Sequence, residues 1–110
     1  MSNGWIGVDL DGTLAVYDGW QGEEHIGDPV PAMLERVLAW RAAGVDVRIF
    51  TARIAENSRA LPYINVWCEM HLGEVLPVTC KKDYGMIELW DDRAVQIIPN
   101  TGRRADGWAS

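Results

Sequence analysis

Ten residues near the amino terminus, WIGVDLDGTL from Trp5 to Leu14, constrain this chain more than any other stretch. Trp5, Ile6, Val8 and Leu10 make the β-favouring run of a short strand covered on both faces, and Asp11-Gly12 is turn chemistry that stops it. The carboxylates therefore begin where the strand ends. In an open parallel sheet the carboxyl ends of the strands line the crevice where ligands bind, so Asp9 and Asp11 are expected in a site rather than in a core. Two apart on an extended chain, they leave the backbone on the same side. Carboxylates that close repel each other, and near neutral pH a cation keeps such a pair ionised most easily. Hard oxygen donors with nothing soft nearby suggest Mg²⁺.

Asp-x-Asp-Gly can also open a calcium loop. Here the twelfth position counted from Asp9 is Trp20 instead of Glu, and the central oxygen donors are missing. Preceded by its hydrophobic strand, Asp9-Leu10-Asp11-Gly12-Thr13-Leu14 resembles the first motif of the haloacid dehalogenase (HAD) superfamily. Most members are Mg²⁺-dependent phosphatases and phosphotransferases that use an aspartate nucleophile. The resemblance implies that Asp9 is that nucleophile and Asp11 the acid/base group, with both beside the metal.

A chain of 110 residues suffices for one domain that buries roughly two thirds of its unfolded surface, with no room for a second core. The net charge of −6 provides no global field to draw in phosphate or nucleic acid, so an anionic substrate must be attracted locally. Cys68 and Cys80 share no CxxC spacing, and Ser2 and Asn3 make the start of the chain polar, unlike a secretory leader. Two reduced, structural thiols in a cytoplasmic protein are the expectation. No apolar run approaches the length of a membrane span.

After the first strand, residues 15–29 read as a glycine-rich loop in which Tyr17 and Trp20 can cover an entrance, while Glu23, Glu24 and His25 face solvent. Residues 29–43 follow as a helix, with Asp28 as its N-cap, Met33, Leu34, Val37, Leu38 and Trp40 at helical spacing, and Gly44 closing it. VDVRIF at 45–50 is a second strand and delivers Thr51 to the crevice. Residues 56–72 read as a second helix, capped by Asn57 or Ser58 and starting near Leu61 if Pro62 lies in its first turn. Its buried face is Leu61, Ile64, Trp67, Cys68 and Leu72. A short third strand spans 76–79, where Pro77 confines it to an edge. MIELW at 86–90 is a fourth strand ending in Asp91-Asp92, VQII at 95–98 a fifth, and residues 102–110 a loosely held tail.

A hydrophobic strand and then Thr51, one βαβ unit after Asp-x-Asp-Gly, looks like the second HAD motif. By that resemblance the Thr51 hydroxyl and the neighbouring N–H of Ala52 bind a phosphoryl oxygen. Arg53 reads equally as a phosphate clamp or a surface cation. The family pattern also asks for one lysine before a final acidic pair, which Lys82, or alternatively Lys81, fills. At ~4 Å its attraction to a carboxylate or phosphate oxygen is about 4 kcal/mol at an effective dielectric of 20. Asp91-Asp92 resembles the fourth motif, with Asp92 on Mg²⁺ directly and Asp91 through water, or the two exchanged.

Together these readings imply a single three-layer, Rossmann-like α/β domain with a parallel sheet in the order 3-2-1-4-5 and no cap domain, because the intervening stretches are too short to hold one. The implied activity is Mg²⁺-dependent phosphomonoester hydrolysis through an aspartyl-phosphate. An uncovered crevice accepts the end of a larger molecule or relies on a second copy of the chain as a lid. TAR after the second strand, and DDR followed by VQI, also look like the 3′-phosphatase domain of polynucleotide kinases, which suggests a nucleotide or nucleic-acid 3′-phosphate as substrate. The net negative charge counts against a long polyanion. Two other classes stay open: a receiver-like phosphoacceptor, whose acids come in the reverse order along the chain, and a phosphate-binding module without turnover.

Overall fold

The computed structural model describes residues 4–108. Four parallel strands, β1 (Trp5–Asp9), β2 (Asp46–Phe50), β3 (Val78–Thr79) and β4 (Met86–Trp90), form one sheet in the order β3-β2-β1-β4. Helix α1 (Pro31–Ala42) links β1 to β2, and α2 (Leu61–Leu72) links β2 to β3. Strand β1 therefore lies inside the sheet between β2 and β4, and the chain reverses direction across the sheet beside it. Asp9 is level with Phe50 on one side, and Val8 with Trp90 on the other. Strand β3 is short and sits at an edge, immediately after Pro77 as its missing N–H requires.

One apolar cluster joins the sheet to both helices. Ile6, Val8, Leu10, Val47 and Ile49 pack with Met33 and Val37 of α1 and with Ile64, Trp67, Cys68 and Leu72 of α2. Strand alternation puts Trp5, Gly7 and Asp9 on the opposite face. Both crossovers step the same way across the sheet, and right-handed connections then place both helices on one side. Among the described residues the architecture is accordingly two layers, helices on a sheet, instead of the expected three. The other face is filled by the sheet's own side chains, since a Cβ at Gly7 would press on Met86, Leu89 and the Trp5 ring.

Two further expectations are corrected. Residues 95–98 add no fifth strand: Ile97 bridges antiparallel to Arg104, and Ala105 N–H donates to Gln96 O at 2.8 Å. The turn at Pro99-Asn100 folds the chain onto itself, and Asn100 takes a left-handed φ of 67° there. The segment after Gly102 is thus tied back as far as it is described, while residues 109 and 110 lie outside the described residues. Helix α1 also starts later than expected, with Val30 and not Asp28 at the N-cap and no side-chain cap. The reason is the antiparallel bridge between Ala15 and Pro29, in which Asp28 O accepts from Val16 N–H, so the backbone is still extended where the cap was expected.

Helix α2 does begin at Leu61, with Pro62 in its first turn, and ends on Gly73 at φ 79°. A three-residue 3₁₀ turn, Ala52–Ile54, precedes it. Cys68 is buried, which pushes its thiol up to about 11, and it forms no disulfide with Cys80. No described helix is long and apolar enough to cross a membrane.

Candidate metal centre and active site

The carboxyl ends of β1 and β4 bring three acids together. Asp9, Asp91 and Asp92 each offer a carboxylate oxygen, all within 4.8 Å of one another. Asp9 is the inner member. Its carboxyl is pushed up from 3.8 to about 7, first by burial, then by its contact with Asp92 and by repulsion from Asp91, Asp92 and Asp11. Three acids pointing at one spot without a balancing cation are unfavourable.

Thr13 knits the two strands at this point. Its hydroxyl accepts from Asp92 N–H at 3.0 Å and lies 3.1 Å from Asp92 Oδ1 and 3.4 Å from Asp9 Oδ2, to either of which it can donate. Gly12, with φ 90°, makes room for Asp92: a Cβ there would stand 2.5 Å from Asp92 Oδ2. The DGT turn is therefore shaped around an acid that lies 79 or 80 residues further along the chain. That role for Thr13 escaped the sequence reading, although the residue lies within the motif, because nothing local says which distant group its hydroxyl meets.

Asp11 is not a member of the cluster. Both of its oxygens are taken by Arg53, Nε to Oδ2 at 2.7 Å and Nη2 to Oδ1 at 2.9 Å. The Arg53 side chain is only 5% exposed. It also donates from Nη1 to Glu23 O at 3.2 Å and from Nη2 to His25 O at 2.8 Å, and its guanidinium lies 4.9 Å from the Trp20 ring centroid. Of the two readings open for Arg53, the surface cation is thereby excluded. Trp20 and the 23–25 segment do sit over this end of the molecule. Glu23 is not simply solvated, however, because its carboxylate pairs with Arg59 at 3.0 Å.

The loop that Arg53 reaches is anchored elsewhere as well. Trp67 Nε1–H donates from α2 to Gly27 O at 2.9 Å, and a side chain at Gly27 would collide with the Val16 carbonyl. Gly19, by contrast, stands in open space.

Thr51 is buried at the end of β2, 2% exposed, where its Oγ1 accepts from Arg53 N–H at 3.1 Å. Ala52 is exposed at the first position of the 3₁₀ turn, where a backbone N–H has no partner within the helix. Lys81 and Lys82 are both exposed, and among the described residues neither forms an ion pair. The structure thus assembles Asp9, Asp91, Asp92 and Thr13, pairs Asp11 with Arg53, and leaves the two lysines on the surface loop before β4. Beside the acids, a cavity of about 310 Å³ is lined by Gly12, Thr13, Met33, Arg36, Trp90 and Asp92 among others, with Arg36 stacked 4.7 Å above the Trp90 ring.

The donor set fits a hard divalent cation. Carboxylate oxygens around an octahedral Mg²⁺ stand roughly 2.9 Å apart when adjacent and about 4.2 Å apart when opposite, for metal–oxygen distances of 2.0–2.1 Å. The three oxygens, all within 4.8 Å of one another, would have to draw in until at least two of their three separations match the adjacent spacing, and Asp92 is exposed, which leaves room for the waters Mg²⁺ retains.

No family model matches the chain, and no curated protein does. Among solved structures, a conserved protein from Bacteroides thetaiotaomicron is similar, with a TM-score of 0.61 at 20% identity over 86% of this chain and 80% of that one. At that identity the likeness speaks for the α/β fold alone.

Proposed function

We propose that the protein is a Mg²⁺-dependent phosphomonoester hydrolase of HAD type that works through an aspartyl-phosphate. The observation that carries this reading is the convergence of Asp9, Asp91 and Asp92 at the carboxyl ends of adjacent strands, next to the point where the sheet order reverses. A bound Mg²⁺ would offset the charge of these carboxylates and of the phosphoryl oxygens.

Asp9 attacks the phosphorus in line, forming an O–P bond as the ester O–P bond breaks, and the departing oxygen takes a proton from Asp11, which must first pick one up from solvent against the pull of Arg53. Water then attacks the same phosphorus, passes a proton to Asp11 and frees the Asp9 carboxylate. Thr13 accepts from the Asp92 N–H and can donate to Asp9, which ties the nucleophile to one of the acids offered to the cation. Ala52 N–H and the end of β2 offer donors to the equatorial oxygens, and Lys82 or Lys81 completes their charge balance if the loop before β4 turns inward.

Phosphate esters of small molecules or nucleotides, including 3′-phosphates, are the substrate class, and the net charge of −6 disfavours long nucleic acids. Asp9→Asn should abolish Mg²⁺-dependent p-nitrophenyl phosphate hydrolysis while circular dichroism stays unchanged. Turnover that persists in that variant removes Asp9 as nucleophile.

A second reading, phosphate binding without turnover, draws on the Asp11–Arg53 pair and on the surface position of both lysines. It requires saturable, Mg²⁺-dependent binding of inorganic phosphate with no product from any ester.

A further inference from the structure

We infer that Arg53 is a positioning residue that holds the Asp11 carboxylate and the 16–28 loop together as one unit, and that it does not clamp the phosphoryl group. The inference rests on the phosphatase reading for its catalytic consequence, though its structural half stands alone.

A guanidinium has five N–H donors in a fixed fork. At Arg53, Nε–H and one Nη2–H meet the two Asp11 oxygens, the other Nη2–H meets His25 O, and one Nη1–H meets Glu23 O. Four of the five donors are thus committed inside the protein. A phosphate clamp needs two parallel N–H groups facing the ligand; the Nε/Nη2 edge already faces Asp11, and on the Nη1/Nη2 side both nitrogens donate to the carbonyls of Glu23 and His25. Trp20 lies over the guanidinium, which closes one approach to its face.

The carboxylate side of the pair points the same way. An ionised carboxylate can accept about four hydrogen bonds, and the fork uses one on each oxygen. The plane of Asp11 is therefore fixed, while acceptor capacity remains for a substrate or water proton. The two carbonyls come from the middle of the loop, so the contacts that orient Asp11 are the same contacts that hold the cover down. Loosening either partner should release the other.

The test compares wild type, Arg53→Ala, Arg53→Lys and Asp11→Asn on two esters and by limited proteolysis. p-Nitrophenyl phosphate leaves as a stable phenolate and needs little proton donation, whereas glycerol phosphate leaves as an alkoxide and needs it fully. Arg53→Ala should lower kcat with KM nearly unchanged, by about 10- to 100-fold on glycerol phosphate, in line with the cost of misplacing a catalytic group by ~1 Å, and by several-fold less on the nitrophenyl ester. Asp11→Asn should show the same ester preference, and Arg53→Lys, which cannot span both oxygens, a weaker form of it. In proteolysis, Arg53→Ala and Asp11→Asn should each speed cleavage within 16–28.

An equal loss on both esters carried by KM would make Arg53 a phosphate clamp and overturn the inference. So would a loop in either variant as resistant as in wild type. If Arg53→Ala does not fold, Arg53→Lys carries the same comparison. Wild-type inertness on both esters would sink the phosphatase reading, and the proteolysis arm would still decide whether Arg53 couples Asp11 to the loop.

Discussion

The two ends of the sheet treat charge in opposite ways. At the amino ends of the strands lies the larger cavity, about 640 Å³, lined by Trp5, Asp46, Arg48, Asp83 and Tyr84 among others. Each charged group there has an opposite partner, two carboxylates sharing one guanidinium. Arg48 pairs with Asp46 at 3.0 Å and Asp83 at 3.9 Å, its guanidinium stacks 4.6 Å from the Trp5 ring, and Trp5 Nε1–H donates to Asp83 at 2.8 Å. These partners hold the Asp83 carboxyl below the usual range, the Trp5 indole contributing most. At the carboxyl ends the cavity is half that size, yet three acids face one another and Asp9 is pushed the other way. The two ends thus differ in charge balance as well as in volume, and on the reading proposed above it is the mismatched end that receives the cation and the ester.

The largest effect that could break this contrast is loss of Asp9. Asp9→Asn should remove hydrolysis and, in EDTA at pH 8 where Asp9 is ionised, raise the melting temperature, because it deletes the innermost of three like charges. A lower melting temperature in that variant would mean that the cluster is not under repulsion. Next comes Gly12→Ala, which places a side chain at positive φ against Asp92 and should cost about 1–2 kcal/mol in stability from backbone strain alone. It should also weaken Mg²⁺ binding, read by calorimetry; unaltered Mg²⁺ affinity would show that Asp92 is not a ligand.

The third effect is a pH dependence of the metal-free protein. Between about pH 4 and 7 folded Asp9 keeps a proton that the unfolded chain has lost, so stability in EDTA should fall as pH rises through that window and level off above it. Mg²⁺ binds the ionised form and should raise the melting temperature most at pH 8. A flat EDTA profile would erase the contrast between the two ends. The smallest effect belongs to the matched end. Arg48→Ala should cost about 1 kcal/mol, the scale of one exposed ion pair and one cation–π contact, and leave kcat/KM as it was. An activity change there would make the larger cavity part of the site.

Much of this was legible in the sequence because it is local or periodic. Short β-favouring apolar runs bounded by turn residues marked all four strands, the third two residues too long at its start, Pro77 marked an edge, and Gly44 and Gly73 closed the helices. The acids of the cluster were visible as strand endings. What failed depended on distance or direction. VQII at 95–98 has strand composition, yet its partner is Arg104 across a tight turn and not β4, a choice that composition does not encode. The third layer was expected from the fold class, whereas handedness with two same-way crossovers dictates one. Asp11 and Arg53 are 42 residues apart, and no local signal says that an acid two positions from Asp9 turns to a guanidinium instead of to the cluster.

The anchored loop also says where the chain tolerates lengthening. Its base is sewn by the Ala15–Pro29 bridge, its return arm by Trp67 and its middle by Arg53, so added residues in those parts would pull on the crevice. The tip at Gly19, with nothing within 4 Å of where a side chain would start, makes no such contact. A tag, a fluorophore-bearing peptide or a whole grafted module belongs there, where it would leave the loop's anchors in place.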